Sequence, residues 1–334
     1  MAGTNSPPFA RLVQQFLTTY LVQQRNVSPH TVASYRDTFR LLLRYVADRQ
    51  GTRPAHLQLA DFNAAVILAF LDALEQQRGN APRSRNVRLA AIHPFFHYAA
   101  SYDPGALATI HSVLAIPFKR YDRPLLGFLT VAEMQAVLDA PDRTTWSGAR
   151  DHAMWATFYN TGARVSEITA LRRADLDLED PAVIRIHGKG RKQRAVPLWQ
   201  STRRILRQWR ERTPSAPDAP VFPNRAGHAL TRTGVEDRLR QSLHTAAVRC
   251  PSLQGQRVSP HTLRHTTAMH LLQSGVDMTV IALWLGHESP ETTHQYVEAD
   301  LEMKRRTLGH LPEPAAADTP WHPTDELLAF LTSL

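Results

Sequence analysis

Apolar residues recur at helical spacing through the first hundred residues of the chain. In the segment after Ser28 and Pro29 they stand three or four positions apart, and the pattern closes at Gly51. A serine followed by a proline is a common helix start, because the serine side chain caps free backbone N–H groups and proline fits the first turn. Residues 59–79 and 82–101 show the same period. The pattern predicts a helical N-terminal domain over residues 9–110.

The segment 82–101 carries three arginines near its beginning, Arg83, Arg85 and Arg88. Basic residues on one helix face can contact the phosphates of a nucleic acid. A solvated charged face explains them equally well, and the sequence leaves both readings open.

A change of composition separates this region from the next. Residues 111–128 hold two prolines, a glycine and several basic residues, which predicts a basic interdomain linker. Thr130 and Glu133 then have the spacing of a capping box, which begins a helix. We therefore expect a second domain over residues 129–311.

The clearest strand signal lies between residues 182 and 198. Apolar residues alternate on both sides of a turn around Lys189, which predicts a β-hairpin. From Arg185 to Arg212 there are ten Lys or Arg residues and one acid, Glu211, a basic stripe that suits a phosphate backbone. The predicted fold class is mainly α, with a helical N-terminal domain and a mixed α/β second domain that holds a small antiparallel sheet.

The end of the chain differs in character. Residues 312–323 are rich in proline and predict a flexible tether. Thr324 precedes a ten-residue helical pattern, 325–334, with an apolar face. A helix this short is marginal in water, so we expect it to dock on this subunit or on a neighbouring one.

Composition narrows the class of protein. The chain of 334 residues carries a formal charge of +9 and has a pI near 10.1, which favours a nucleic acid or an anionic surface as partner. No apolar run approaches the ~20 residues that span a bilayer, and the N-terminus shows no signal-peptide core. We expect a soluble, cytoplasmic protein with no membrane partner. Cys250 is the one cysteine, which excludes an internal disulfide.

Polar residues of the second domain form a chemically coherent set. In chain order they are Arg164, Lys189, His261, Arg264, His287 and Tyr296. Two guanidinium groups can stabilise the oxygens of a pentacoordinate phosphorus without a metal ion, and tyrosine can supply the attacking oxygen. A leaving alkoxide needs a proton, which lysine can donate and arginine cannot. Only four of the 39 basic residues are lysine, so a lysine at position 189 is informative.

Each candidate has a competing interpretation. Tyr159 is the nearest alternative nucleophile, but its surroundings predict burial. His265 and His270 with His261 resemble a metal site by spacing, yet no Cys or Glu completes the set, and we expect no metal or cofactor. The acids Asp175 and Asp177 are expected at a turn or strand edge, Lys192 is the alternative proton donor, and Trp284 is expected in the core.

The motifs resemble those of the tyrosine recombinases, the phage integrase family, and especially its compact Xer-like and Cre-like members. The matching segments are TGARVSE, GKGRKQRAVPL, HTLRHTTAMHLLQSGVDMTVIALWLGH and HQYV, in the family's order and spacing over residues 10–310. The family pattern Arg…Lys…His-x-x-Arg…His…Tyr falls on the six residues above. Glu167 matches the acidic residue that often follows the first arginine.

The resemblance implies a fold, a mechanism and partners. The N-terminal domain would be a SAM-like core-DNA-binding domain, and the two domains would clamp double-stranded DNA at specific recombination sites. Tyr296 would form a 3′-phosphotyrosyl link and free a 5′-hydroxyl, and exchange would proceed through a Holliday junction on a homo-tetramer, with or without a paralogous recombinase. The task could be integration, transposition or resolution, and residues 312–334 would dock on a neighbouring subunit.

Three other functions compete with this reading. A non-enzymatic DNA-binding relative should have lost at least one of the six positions, and all six are present. A type IB topoisomerase shares the tyrosine and arginine chemistry and would relax supercoils without synapsis. A metal-dependent nuclease would lose its activity in EDTA.

Overall fold

The structure, a computed structural model, describes residues 8–121, 127–188 and 192–286. The chain divides into two units, an N-terminal unit of residues 1–124 and a C-terminal unit of residues 125–334. Each unit has its own hydrophobic core.

The N-terminal unit is helical, as the hydrophobic pattern predicts. A short helix continues into a π-helix, and four further α-helices follow. The third of these four packs against each of the other three. The elements are α1 (Phe9–Gln15), the π-helix Phe16–Gln24, α2 (Pro29–Gln50), α3 (Ala64–Arg78), α4 (Pro82–Ala100) and α5 (Leu107–Leu114).

The ends of α2 follow the predicted signals. The Ser28 hydroxyl accepts a hydrogen bond from the backbone N–H of Thr31, and Gly51 ends the helix with a φ of 63°. A left-handed φ is easy for glycine, which explains the break at that position. Asn63 caps α3 in the same way.

An aromatic cluster fills the core of the N-terminal unit. Phe16 has no exposed surface. Its ring centroid lies 5.4 Å from that of Phe95, 5.5 Å from that of Tyr98 and 5.7 Å from that of Tyr20. Phe16 and Tyr20 lie in the π-helix, whereas Phe95 and Tyr98 lie in α4. The cluster therefore packs the π-helix against α4.

The first half of the predicted linker belongs to this unit. Helix α5 runs to Leu114, and Val113 and Ile116 are buried in the helical core. The backbone of Lys119 donates to and accepts from the Asn86 side chain, and its ammonium lies 2.9 Å from Glu75. The helical unit therefore extends beyond the predicted boundary at residue 110, because α5 brings the following residues back onto α3 and α4.

The three arginines of α4 do not share one exposed face. Arg83 is exposed, whereas Arg85 is buried beside Glu75 at 3.9 Å. Arg88 donates to the Thr38 hydroxyl. The reading of all three as one phosphate-contacting face is wrong for Arg85, whose guanidinium is enclosed by its own unit.

The C-terminal unit surrounds a small sheet with helices. Its helices pack around α7, which contacts α6, α9 and α11. The elements are α6 (Val131–Asp139), α7 (Trp146–Thr161), α8 (Val165–Ala170), β1 (Leu176–Asp177), β2 (Val183–His187), β3 (Gln193–Pro197), α9 (Gln200–Arg210), α10 (Arg232–Arg249), α11 (Pro260–Gln273) and α12 (Met278–Leu285).

The predicted hairpin is confirmed. Strands β2 and β3 pair antiparallel with Ile184 opposite Val196, and β1 adds at the other edge of β2. Ile184, Ile186 and Val196 face the core with almost no exposed surface. Residues 189–191, at the tip, lie outside the described residues.

Capping residues again mark where the helices of this unit begin. Thr130 and Glu133 form the predicted capping box of α6, and Ser259 caps α11. Asp277 caps α12, which ends at Gly286 with a φ of 65°. The hydrophobic pattern did not predict helix α10.

Part of the basic stripe is used inside the protein. Arg203 and Arg207 both donate to the carbonyl of Leu178, and Arg194 pairs with Glu167. These arginines hold loops and strands of their own unit, so fewer residues of the stripe face outward than the sequence suggests.

The predicted tether and C-terminal helix, residues 312–334, lie outside the described residues. Among the helices that the structure describes, none has both the length and the apolar character needed to cross a bilayer.

We predict that Phe16→Ala lowers the free energy of unfolding by about 3–5 kcal/mol, because it leaves a cavity among packed rings. Urea unfolding followed by circular dichroism measures the change. Val22→Ala is the matched control, since Val22 lies in the same helical segment and is 48% exposed. A Phe16→Ala loss as small as that of the control would contradict the packing described above.

Candidate active site

Arg164 stands at the N-terminus of α8. It is the N-cap residue, and its backbone N–H donates to Glu167 Oε2 at 2.8 Å. Its guanidinium donates from Nη1 to Glu167 Oε1 at 3.0 Å, yet 34% of the side chain is exposed. The arginine is thus held from one side while part of it faces solvent.

Glu167 connects two elements beneath this arginine. Only 4% of its side chain is exposed. Arg194 on β3 donates to both carboxylate oxygens, from Nη1 at 3.1 Å and from Nη2 at 2.7 Å. A bidentate pair of this kind fixes direction as well as charge.

The electrostatics keep Glu167 ionised. Burial alone would raise the pKa of its carboxyl, but hydrogen bonds from Arg194 and from the backbone of Arg164, with the charges of both arginines, outweigh burial and lower the pKa below its ordinary value. Glu167 is therefore a carboxylate at neutral pH that accepts from both arginines.

Arg264 is the second predicted arginine, and it is buried, with 3% of its surface exposed. Its Nη1 donates to the carbonyl of Gly162 at 2.6 Å, and its Nη2 donates to the carbonyl of Leu285 at 2.9 Å. The residue lies in the second turn of α11, so it links that helix to the ends of α7 and α12.

The two arginines meet at the C-terminal end of α12. Arg264 donates to the carbonyl of Leu285, and Arg164 donates from Nη2 to the carbonyl of Gly286 at 3.4 Å. The last carbonyls of a helix have no intrahelical partner and carry partial negative charge, so they attract guanidinium groups. Residues 100 positions apart in the chain, 164 and 264, therefore converge on neighbouring peptide groups.

Glycines permit this close packing. Gly162 has a φ of 57°, and a Cβ there would overlap the Cδ2 atom of Leu285. Gly162 follows directly after α7. The C-terminal end of α12 thus lies directly against Gly162, two residues before Arg164.

His261 lies in the first turn of α11 and is exposed. Its ring is stacked beside that of His265, with centroids 6.2 Å apart. Burial, together with the charges of His261 and Arg264, lowers the pKa of His265 to about 4, so His265 is neutral at physiological pH. Of these two histidines, His261 is the one on the surface.

Tyr159 and His270 are both partly buried, so the burial predicted for Tyr159 is incomplete. The Tyr159 hydroxyl lies 2.8 Å from His270 Nδ1, and His270 Nε2 lies 2.9 Å from the carbonyl of Leu129. Since a carbonyl only accepts, Nε2 carries the proton and Nδ1 accepts from the tyrosine. Together these bonds attach the start of the C-terminal unit to α11.

The acidic pair is also structural. Asp175 caps a turn through the backbone N–H of Arg172 and lies 2.9 Å from His187, while Asp177 pairs with Arg185 at 3.4 Å. Among the described residues, no group of three His, Cys, Asp or Glu side chains has the arrangement of a metal site.

Three predicted site residues, Lys189, His287 and Tyr296, lie outside the described residues. The residues that precede two of them are described. A Cβ on Gly188 would lie 3.5 Å from Glu167 Oε1, and the carbonyl of Gly286 accepts from Arg164. Lys192, the alternative proton donor, is exposed, and its carbonyl accepts from the backbone N–H of Gly188.

Arg194 is the residue of this site that sequence reasoning did not single out. It was one of many arginines in the basic stripe. The available signal was strand alternation, since Arg194 shares the inward face of β3 with the buried Val196.

Comparisons with known proteins identify the family of the chain. Residues 127–303 match the model of the phage integrase family, and residues 13–102 match the model of the phage integrase N-terminal SAM-like domain. The chain belongs to the phage integrase family. It is a tyrosine-type site-specific DNA recombinase.

Individual relatives show the extent of the similarity. The chain is 48% identical to a putative integrase/recombinase, y4rC, of Sinorhizobium fredii, over 99% of this chain and 100% of the relative. It is 34% identical to the tyrosine recombinase XerC of Xanthomonas axonopodis pv. citri, over 87% of this chain and 92% of that protein.

Among solved structures, the XerH site-specific recombinase bound to palindromic difH substrate, in a post-cleavage complex, matches with a TM-score of 0.66 and 21% identity, over 86% of this chain and 81% of that one. The likeness confirms the fold, including the predicted SAM-like N-terminal domain and the small antiparallel sheet.

We predict that Glu167→Gln destabilises the C-terminal unit by about 3 kcal/mol at pH 7, because two arginines lose their buried partner. The pKa of Glu167 is lowered in the folded state, so the stabilisation is present above its ordinary value of 4.5 and is lost as the pH falls below that value. The difference between wild type and variant should therefore shrink at acidic pH.

Urea unfolding followed by tryptophan fluorescence measures this difference, since all six tryptophans lie after residue 145. Glu236→Gln is the control, because Glu236 pairs with Arg232 on the surface, where 70% of the arginine side chain is exposed. Equal effects of the two substitutions would refute the role given to Glu167.

Proposed function

We propose that this recombinase cuts and rejoins double-stranded DNA at specific sites through a 3′-phosphotyrosyl intermediate, with Tyr296 as nucleophile. The proposed catalytic set is Arg164, Lys189, His261, Arg264, His287 and Tyr296. The observation that carries the proposal is the convergence of Arg164 and Arg264 on the carbonyls of Leu285 and Gly286, the two residues before His287.

The two arginines would stabilise the transition state. As the tyrosine oxygen attacks, negative charge grows on the non-bridging oxygens of the scissile phosphate. Guanidinium groups held in advance by carbonyls and by Glu167 need little reorganisation to receive that charge, which is the condition for effective electrostatic catalysis. Five N–H donors on each group allow it to bind the protein and a phosphate together.

The remaining residues would handle attack and protons. The Tyr296 oxygen forms a bond to phosphorus while the bond from phosphorus to the 5′-oxygen breaks. Lys189 donates a proton to the leaving oxygen, which departs as a 5′-hydroxyl. His261 and His287 would contact the phosphate and assist transfer of the tyrosine proton.

Rejoining reverses these steps with a different strand. The 5′-hydroxyl of a partner strand attacks the phosphotyrosine, and Tyr296 leaves as a phenol. The bond energy of the cleaved strand is retained in the protein–DNA link, so no ATP is consumed. The charge supplied by two arginines takes the place of a metal ion, and we propose no cofactor.

Strand exchange requires two duplexes, and each exchange requires active sites on several subunits. We propose a homo-tetramer on DNA that passes through a Holliday junction, with the option of a paralogous partner. In this proposal the helical N-terminal unit and residues 129–311 bind DNA as separate domains joined by the basic segment between them, and residues 312–334 dock on a neighbouring subunit. A DNA substrate places the reaction in the cytoplasm.

Tyr296→Phe is predicted to bind site DNA with unchanged affinity and to form no covalent adduct, because only the attacking oxygen is removed. The substrate is a nicked duplex carrying the cleavage site mapped with the wild-type protein on DNA flanking its gene. Denaturing gel electrophoresis detects the adduct, and the reaction is run with and without EDTA.

Wild-type adduct formation should be the same in EDTA. Tyr159→Phe is the matched control and should retain the adduct. An adduct in Tyr296→Phe would reject the nucleophile, and loss of wild-type cleavage in EDTA would favour a metal-dependent nuclease. Relaxation of a supercoiled plasmid without the site would favour a topoisomerase.

Lys189→Arg is predicted to cleave normal DNA about 100-fold more slowly, because arginine keeps its proton and cannot act as a general acid. A substrate with sulfur in place of the bridging 5′-oxygen has a leaving group that needs no proton, so the variant should cleave it at a rate near that of wild type. Lys192→Arg, the control, should cleave both substrates normally. Failure of the sulfur substrate to restore cleavage would contradict the proton-donor role.

A further inference from the structure

Arg194 occupies the third of three neighbouring arginine positions at the end of α12. Its Nε donates to the carbonyl of Trp284 at 3.0 Å. The next two carbonyls in the chain are those that receive Arg264 and Arg164. Three successive peptide groups at one helix C-terminus thus each accept from a different guanidinium.

Arg194 also binds the carboxylate that supports Arg164. Its two Nη nitrogens donate to both oxygens of Glu167, at 3.1 and 2.7 Å. One guanidinium therefore connects β3 to the N-terminal turn of α8 and to the C-terminal end of α12. Nε bonds the end of α12, and the two Nη nitrogens bond Glu167. Because all three nitrogens belong to one planar group, they fix the position of Glu167 relative to the end of α12.

The exposure of Arg194 differs from that of Arg164. Its side chain is 12% exposed, compared with 34% for Arg164. All three of its nitrogens donate to groups of the protein. These contacts suit a residue that acts through other residues rather than through the DNA.

Packing against Gly286 supports the same conclusion. A Cβ at Gly286 would lie 3.0 Å from Arg194 Nη1 and 3.3 Å from its Cδ. The guanidinium therefore lies against the backbone of the residue that immediately precedes His287. Movement of Arg194 would change both the support of that peptide group and the space beside it.

We propose that Arg194 is a positioning residue of the strand-cleavage reaction. It holds the peptide that leads into His287 and the carboxylate that orients Arg164, and it does not touch the scissile phosphate. The inference rests on the proposed roles of Arg164 and His287, and it adds to them a residue that sets their relative placement.

Lysine cannot replace this arrangement. An ammonium group is a single point charge, whereas the three contacts of Arg194 need a planar fork with donors in fixed directions. Arg194→Lys keeps the positive charge beside Glu167 and so isolates geometry from charge. A misplacement of about 1 Å in an active site lowers the rate by roughly 100-fold.

The test is single-turnover formation of the covalent adduct on the nicked duplex described above. Arg194→Lys should form the adduct roughly 10- to 100-fold more slowly, with site-DNA affinity within about threefold of wild type and a far-UV spectrum unchanged. Arg143→Lys is the matched control, an exposed arginine paired with Asp139 at 2.6 Å, and should cleave at the wild-type rate. Wild-type cleavage by Arg194→Lys would overturn the inference.

A second measurement separates positioning from general destabilisation. If Arg194 acts on Arg164 through Glu167, the double variant Arg194→Lys, Glu167→Gln should lose little more activity than the more impaired single variant. Multiplication of the two rate losses would overturn the inference. A parallel loss of DNA affinity and thermal stability in Arg194→Lys would also overturn it, in favour of a purely structural residue.

A third measurement uses chemical rescue. Arg194→Ala should regain adduct formation when guanidinium ions are added at millimolar concentration, and Arg143→Ala should not respond. Absence of rescue in a folded Arg194→Ala variant would count against the inference. The proposed function is tested by a separate result. Its failure would appear as a covalent adduct in Tyr296→Phe, and that result does not depend on the Arg194 variants.

Discussion

The C-terminal carbonyls of α12 are the feature on which the rest of the site depends. A helix end exposes carbonyl groups without partners, and their partial negative charge attracts cations. Here those groups accept from arginines of α11, of β3 and of the turn before α8. Three elements that are distant in the chain are therefore held at one point by the same electrostatic requirement, and His287 follows that point directly.

Glu167 balances the charge that this arrangement gathers. Several guanidinium groups close together would repel one another, and a buried carboxylate with two arginine partners offsets that repulsion. The lowered pKa of Glu167 expresses the same fact, since its ionised form is the one that the arginines stabilise. A site with surplus positive charge and a fixed geometry is suited to a phosphate, which is the substrate group of a recombinase.

Local signals predicted much of the fold. Ser28 and Thr130 cap the helices that they were expected to begin, and the alternation around residues 183–197 predicted the hairpin with its strands in place. Pro117 and the basic residues predicted that the linker begins at residue 111. The structure shows that it begins later in the chain, because Ile116 and Lys119 pack on the N-terminal unit. An open linker and an extended segment packed on the protein surface have similar composition. Only the contacts of the segment with its own unit distinguish the two.

The sequence by itself determined the class of protein, because the order and spacing of its motifs carry that information without coordinates. It also supplied the six candidate residues on which the proposed chemistry rests. Apart from Arg164 and Arg264, the pattern did not show which of the 35 arginines are buried and which face solvent. Arg85, predicted on an exposed face, is buried, and Arg194, one arginine of the basic stripe, holds the buried carboxylate of Glu167. Strand alternation places Arg194 on the inward face of β3 but does not show its partners. Only the tertiary structure decided these contacts, because the position of a guanidinium depends on which carbonyls and carboxylates other elements bring to it.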